Sequence, residues 1–344
     1  KLAYYGVKGS TLNWIKDFLS SRTQSVVLEG HTSSPLDVIS GVPQGTVLGP
    51  LLFLTYINDM PDCTSSDVRL FADDSLVYRK IRNPDDAATL QRDLTALEEW
   101  EHKWQMCFHP EKCTVMRISN KRNTLQTTYT LHGHQLEVVD SGKYLGVTIS
   151  QDLQWNKHIN NTTGKATRTL GFLRRNLGRC KPSVKNTAYC ALIRPSIEYA
   201  ATVWDPHQTT LIKDIDRVQR KAARFVYNQY TDTSPGCVTG LLDQLQWDPL
   251  QYRRIKQRLV LCYKIQNQLV EIQPAIYYTS GDNRTRGGHR LRQIRATKEV
   301  YNNSFFPRSI RDWNLLPDTV AAAPTLEEFR ARLASVPWTQ MQPN

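Results

Sequence analysis

Two aspartates stand in succession, Asp73 and Asp74, within the run Val68-Arg69-Leu70-Phe71-Ala72-Asp73-Asp74-Ser75-Leu76-Val77-Tyr78. The apolar residues on either side read as two short strands, Val68–Ala72 and Leu76–Tyr78, with Asp73-Asp74-Ser75 as the tight turn between them. Two carboxylates fixed at a hairpin tip repel each other unless a cation lies beside them. Hard oxygen donors of this kind suit magnesium, which needs only one or two carboxylates when substrate phosphates complete its shell. Taken alone, the pair reads first as an acidic turn facing water, so its surroundings decide.

The elements that would position the pair can be read from periodicity and punctuation. A short helix is predicted over 11–21, with Ser10 as its cap and Leu12, Ile15, Phe18 and Leu19 on one side. Thr23–Leu28 reads as a strand, and Ser40–Thr46 as a loop rich in breakers. The apolar run Val47–Ile57 is too long for a strand and reads as a buried helix. Asn83-Pro84-Asp85-Asp86 starts a further helix with a cap, a proline at the first position and acids at the positive dipole end. Leu90, Leu94, Leu97, Trp100 and Trp104 then recur on one helical face, the pattern of core packing. Cys113–Ile118, Thr127–Leu131, Gln135–Val139 and Tyr144–Ile149 read as strands. From Trp155 the chain turns helical and basic to about residue 230. Further helices are expected over Pro249–Leu269 and Thr325–Ser335, with a compact aromatic segment at Ser304–Pro317. Mixed strand and helix followed by helices alone is an α+β domain and a helical one.

Charge is unevenly placed. The 344 residues carry a net charge of +12. Residues 161–226 hold thirteen Lys and Arg against four Asp and Glu, and residues 284–311 hold eight bases against Glu299 alone. Two such clusters point to a polyanion, nucleic acid before anionic membrane. No stretch of about 18 apolar residues is present to span a membrane, and no signal-like segment opens the chain. The protein is therefore expected inside the cell rather than secreted. Seven scattered cysteines, an odd number without a CxxC pair, read as free thiols and speak against a zinc site.

The order of motifs resembles the reverse transcriptases of non-LTR retrotransposons, the Jockey and chicken-repeat group of long interspersed elements. SGVPQGTVLGPLLFLTYINDM resembles that family's motif B, VRLFADDSLVY its motif C, HPEKCTVMRI its motif D and KYLGVTI its motif E. RPSIEYAATVWDP, DRVQRKAARFV, QWDPLQYRRIKQRL and SFFPRSIRDWNLLP resemble its downstream region. The resemblance implies a right-hand polymerase palm over 1–150 (motifs B to E), a basic helical thumb over 151–230 and a C-terminal region over 231–344. It implies two-metal transfer of a deoxynucleotide onto a primer 3′-hydroxyl, with an RNA template, a DNA primer and deoxynucleoside triphosphates as partners. By it Asp73 and Asp74 are the motif C carboxylates that hold Mg²⁺. Phe71, Pro43, Gln44 and Gly45 lie near the incoming nucleotide and template. There Gly45 lets backbone come close and Gln44 can donate and accept. Lys112 would steady or protonate leaving pyrophosphate, and Tyr144, Leu145 and Gly146 would form the primer grip. Lys165, Arg168, Arg174, Arg175, Arg179, Arg217, Arg220, Lys221 and Arg224 would track duplex phosphates without sequence choice. By its charge alone the 284–311 cluster is expected to hold RNA near the target site, and by the resemblance synthesis at a chromosomal target would place the protein in the nucleus.

One departure stands out. The family palm takes a third carboxylate from motif A, which precedes a phrase like Lys1-Leu2-Ala3-Tyr4-Tyr5-Gly6-Val7, and no acid between Lys1 and motif B matches it. The palm is thus expected truncated on its N-terminal side, without fingers or motif A. A fragment inactive alone follows, with a non-catalytic nucleic-acid-binding remnant or a domesticated palm-fold interaction protein as the alternatives.

Overall fold

The computed structural model describes residues 1–119, 121, 124–281 and 289–341. They fall into two compact units, 1–115 with 121–139, and 116–120 with 140–344.

The first unit is mixed α and β, and every sheet among the described residues has two strands. Helix α1 is Gly9–Leu19, with Lys8 in extended conformation at its cap position. Ser10 therefore lies inside the first turn and is not the cap. The expected Thr23–Leu28 strand is two pieces that pair with different partners. β1 (Thr23–Gln24) pairs with β4 (Leu36–Asp37), and β2 (Val27–Leu28) with β3 (His31–Thr32), all antiparallel and exposed. Helix α2 spans Leu48–Ile57, as its length suggested. It is not buried, however. Gly49, Leu52 and Ile57 turn inward, while Leu51 is 58% and Leu54 49% exposed. β5 (Asp67–Phe71) and β6 (Asp74–Tyr78) form an antiparallel hairpin in the register Phe71↔Asp74 to Asp67↔Tyr78. Helix α3, Pro84–Trp104, has the expected start, with the Asn83 side chain accepting from the Asp86 N–H at 2.9 Å. Val68, Ile57, Met60, Leu97 and Trp100 make the core beneath the hairpin.

The three strands expected between 113 and 139 contract to two-residue ladders. β7 (Thr114–Val115) runs parallel to β10 (Glu137–Val138), and β8 (Thr130–Leu131) antiparallel to β9 (His134–Gln135). Leu131 and Leu136 are buried with Ala87 and Tyr129, so the apolar signal in this stretch came from packing on α3 more than from pairing.

The second unit opens with the hairpin β11 (Ser141–Tyr144) and β12 (Val147–Ser150). Val147 joins the core of the helices after it, which is why this hairpin is compact with them. Residues 151–230 and 231–344, read from sequence as separate regions, share this unit. Its helices are α4 (Asn156–Leu177), α5 (Pro182–Ala188), α6 (Arg194–Glu198), α7 (Ala201–Trp204), α8 (Thr209–Tyr227), α9 (Cys237–Gln244), α10 (Leu250–Gln266), α11 (Pro274–Tyr277), α12 (Glu299–Asn302), α13 (Phe305–Trp313), α14 (Asp318–Ala321) and α15 (Leu326–Ala334). One core gathers Ile159, Leu170, Tyr189, Ile193, Trp204 and Phe225, and a second gathers Leu259, Tyr263, Ile310, Trp313 and Phe329.

A buried ion network crosses the second unit. Asp205 accepts from Arg254 at 2.6 Å, from Arg258, and from Arg308 at 3.0 Å, and Arg258 also pairs with Asp312. Burial pushes the Asp205 carboxyl up, but the three guanidinium groups outweigh it and hold it below the usual carboxylate range. The seven cysteines are free thiols. Among the described residues, no helix is long and apolar enough to cross a membrane.

Candidate active site and nucleic-acid interface

The β5–β6 register fixes where the two aspartates sit. Phe71 and Asp74 are partners, so the tip is only Ala72-Asp73, one residue earlier than the turn read from sequence. Ala72 takes the left-handed conformation, φ 50°, that a two-residue tip demands. Asp73 is therefore on the turn, and Asp74 opens β6. Both are exposed, and among the described residues neither makes an ion pair or a side-chain hydrogen bond. Beneath them Val68 is buried against Trp100 and Leu97, which anchors the hairpin while its tip stays in water.

Two other acids of this unit are engaged. Asp59 takes the Lys1 ammonium at 2.6 Å and the Trp100 Nε1–H at 3.1 Å. Lys1 is enclosed by the rings of Trp104, Trp100 and Tyr56. Asp93 accepts from the Ser65 and Ser66 N–H groups at 2.9 Å each. Burial pushes its carboxyl up, and the serine hydrogen bonds more than offset that. Among the described residues, no group of three or more His, Cys, Asp and Glu is placed to hold a metal ion. The tip by itself offers two carboxylates, a donor set that fits Mg²⁺ when phosphates and water fill the remaining positions.

The Pro43–Gly45 loop is built around the start of α2. The Thr46 hydroxyl donates to the Pro43 carbonyl at 2.8 Å and accepts from the Gly49 N–H at 3.1 Å. A Cβ at Gly49 would meet the Pro43 oxygen at 2.6 Å, so this glycine, which sequence reasoning passed over, closes the loop onto the helix. Gln44 and Gly45 are exposed, and Gly45 has φ 76°. Lys112 ends a short helical turn, Pro110–Lys112, and is exposed. It borders a shallow cavity of about 300 Å³ with His109, Pro110, Glu111 and His134.

Tyr144, Leu145 and Gly146 belong to the second unit. Tyr144 pairs with Val147, leaving Leu145-Gly146 as a two-residue turn with φ 45° and 83°. Both central residues are left-handed, as in the turn that best matches strand twist. The Tyr199 hydroxyl donates to the Leu145 carbonyl at 3.0 Å across 54 residues of sequence. No local signal identifies that partner.

The basic side chains sort into free and engaged. Lys165, Arg168, Arg175 and Arg179 fall at i, i+3, i+10 and i+14 along α4 and just past its end, and all are exposed. Phe172, at i+7 of the same stripe, is 55% exposed, an aromatic that the spacing alone could have flagged. Arg174 lies over the Tyr230 ring, 4.5 Å from its centroid. On α8, Arg217, Arg220 and Lys221 are exposed, with Arg217 also pairing Asp214 at 3.0 Å. Arg224 differs from the set. It is half-buried and donates to the Gln229 and Asp232 carbonyls at 3.1 and 2.6 Å, so it ties down the chain after α8. Lys185 is fully buried against Asn228. In the 284–311 cluster, Arg308 turns inward to Asp205 and Arg311 binds Asn302, while Arg284 and Arg286 lie outside the described residues.

Residues 1–149 match the family model of reverse transcriptase (RNA-dependent DNA polymerase). The RNA-directed DNA polymerase from mobile element jockey of Drosophila melanogaster is 29% identical over 223 residues, covering 61% of this chain and 24% of that protein. The jockey polymerase of Drosophila funebris is 30% identical over 224 residues, 61% of this chain and 24% of its own length. The probable RNA-directed DNA polymerase from transposon X-element of Drosophila melanogaster is 28% identical over 221 residues, 62% and 24%. The chain thus spans about a quarter of the length of the curated relatives it matches. Residues 1–149 are thus a reverse transcriptase domain, and about 60% of the chain is distantly similar to the jockey and X-element polymerases of non-LTR retrotransposon type.

Proposed function

We propose that this chain is palm and thumb of an RNA-directed DNA polymerase that extends a DNA primer on an RNA template, and that residues 1–344 alone bind the duplex without extending it. The Asp73-Asp74 tip carries the reading, being a solvent-facing carboxylate pair on a hairpin inside the family-matched segment. Asp73 and Asp74 would hold Mg²⁺, Asp73 as the stronger ligand. When bound, the ion supplies charge neutralisation at the reacting phosphate and the attacking and leaving oxygens. Gln44 presents an amide to the template–nucleotide pair, and Gly45 keeps the backbone beside it open. Lys112 places a cation, or a proton, at departing pyrophosphate. The Leu145-Gly146 turn lays backbone against the primer, and the α4 stripe neutralises duplex phosphates.

Inactivity of the isolated chain rests on the carboxylates. A two-metal site needs ligands on opposing sides of the reacting phosphate. Asp73 and Asp74 come from one turn, and Asp59 and Asp93 are engaged elsewhere. Two carboxylates from one hairpin tip favour the non-catalytic nucleic-acid-binding reading for this chain by itself. The test is primer extension on an RNA template with Mg²⁺ and four deoxynucleotides. No product is expected from residues 1–344. Synthesis is expected once an upstream segment with a further carboxylate strand is joined, and Asp73→Ala in that longer chain should abolish it. Robust synthesis by residues 1–344 unaided overturns the proposal. Failure to bind an RNA–DNA duplex at all would leave the third reading, a protein-interaction role.

A further inference from the structure

The Leu145-Gly146 turn is strained where sequence offers no relief. A leucine at φ 45° is in a conformation that bulky residues seldom adopt, and it persists only where neighbours hold it. Here the neighbour is Tyr199. Its hydroxyl donates to the Leu145 carbonyl at 3.0 Å, and its ring lies so near Gly146 that a Cβ there would meet Cε1 at 2.9 Å. The tyrosine is therefore seated on both turn residues, one by hydrogen bond and one by contact.

Tyr199 is itself held by the break between α6 and α7. Its backbone is extended after Glu198, and Ala200 turns left-handed at φ 51° before α7 begins. The Tyr199 carbonyl accepts from the Trp204 Nε1–H at 2.7 Å. Trp204 is fully buried, and its ring centroid lies 5.0 Å from that of His158. His158 Nδ1 in turn accepts the Thr148 N–H of β12 at 3.2 Å. The chain of neighbours runs from the turn through Tyr199, Trp204 and His158 back to the same hairpin. Yet Tyr199 remains 57% exposed, so an aromatic face stands open beside the turn.

From this we infer that Tyr199 is a positioning residue for the primer: it locks the Leu145-Gly146 turn in its left-handed form and lines the exposed side of the turn where the primer strand lies. The inference rests on the primer-grip reading of Tyr144–Gly146, and goes beyond it by assigning the device that holds the grip to the α6–α7 break.

The test uses the full 344-residue chain and two readouts. Amide hydrogen exchange of residues 144–149 reads the lock. Competition between an RNA–DNA duplex with a recessed DNA 3′ end and the same duplex with a blunt end reads the primer. In the wild type the recessed end should be preferred. Tyr199→Phe removes the hydroxyl alone. It should raise turn exchange about threefold to tenfold, the effect of one hydrogen bond, with α4 and α8 exchange unchanged, and it should weaken the recessed-end preference by a similar factor. Adding Leu145→Gly, which accepts φ 45° without help, should restore that preference. Unchanged turn exchange in Tyr199→Phe overturns the lock. Faster exchange with an undiminished recessed-end preference shows Tyr199 to be only structural and overturns its primer role. No preference in the wild type overturns the primer-grip reading itself, and this is seen before any variant is made.

Discussion

The second unit buries Trp204, Tyr189, Phe225, Ile193 and Leu170 at 3% exposure or less, whereas the first leaves Val47, Leu51 and Phe71 more than half exposed. Composition does not explain the contrast, since α2 is the more apolar stretch. Helices α4 and α8 each carry one apolar side and lay it on shared neighbours, so a two-faced helix closes its own core. Helix α2 is apolar nearly all round, a pattern that fits a helix enclosed on every side. In its unit only one side meets packing partners, and the other side forms an apolar surface of the kind that marks a contact site. The helical unit closes large cores although single side chains such as Phe172 stay exposed, whereas α2 leaves a whole apolar side open.

The strongest way to break this contrast is to disturb each unit where it is most closed. Asp205→Ala leaves Arg254, Arg258 and Arg308 buried without their shared acceptor, and should cost about 3–5 kcal/mol. Leu170→Ala, in the core of the same unit, should cost about 2–5 kcal/mol. Leu51→Ala, of identical chemistry on α2, should stay within about 1 kcal/mol because the side chain is already in water. Denaturant midpoints of the three variants check the order, and equal losses for Leu170→Ala and Leu51→Ala would dissolve the comparison.

A smaller effect separates free from engaged bases within the helical unit. Replacing Arg168 or Arg175 by Gln should lower the slope of log affinity against log salt by about one for each phosphate left without its cation. Stability should be untouched. Arg224→Gln should do the reverse, leaving the slope unchanged while loosening the Gln229–Asp232 segment it holds. Duplex titrations over a salt series, with thermal melts alongside, read both. A reduced slope for Arg224→Gln would return it to the phosphate-binding set.

What sequence made legible follows the reach of the interactions. The α3 cap, the Asp-Asp hairpin and the α4 stripe rest on neighbours a few residues apart, and local spacing reports them. Arg308 and Arg224 look like surface bases because sequence shows charge but not the acceptors, which lie 103 residues away for Arg308. Thr23–Leu28 reads as one strand since β-propensity cannot show that its halves choose different partners. The buried reading of α2 failed in the opposite direction, for hydrophobicity states what a helix would prefer to meet and not what is beside it. Tyr199 carried no signal, its role lying wholly in a turn 54 residues earlier.

The finest test concerns His158, one of the few groups in the helical unit whose charge costs stability near neutral pH. It is buried, with Nδ1 accepting the Thr148 N–H and rings of Trp155 and Trp204 beside it. Burial lowers its pKa from the ordinary value, so the folded unit prefers the neutral ring. Protonation would also remove the lone pair that Thr148 uses. The sign follows from linkage: the unfolded chain binds the proton more readily, so stability is full only well above about pH 6.5, the ordinary value. It should then fall as pH drops from about 7 toward 5, by about 1.4 kcal/mol for each unit of pKa depression, and level off below the folded value. Asp205 does not contribute in that window, because its carboxyl is held below the usual carboxylate range. His158→Asn keeps an acceptor near Thr148 but cannot titrate. It should lower stability at pH 8 yet flatten the slope between pH 7 and 5, and exchange at the Thr148 amide should follow the same profile. Parallel slopes in wild type and variant would mean that another group supplies the pH dependence and that His158 tolerates its charge where it sits.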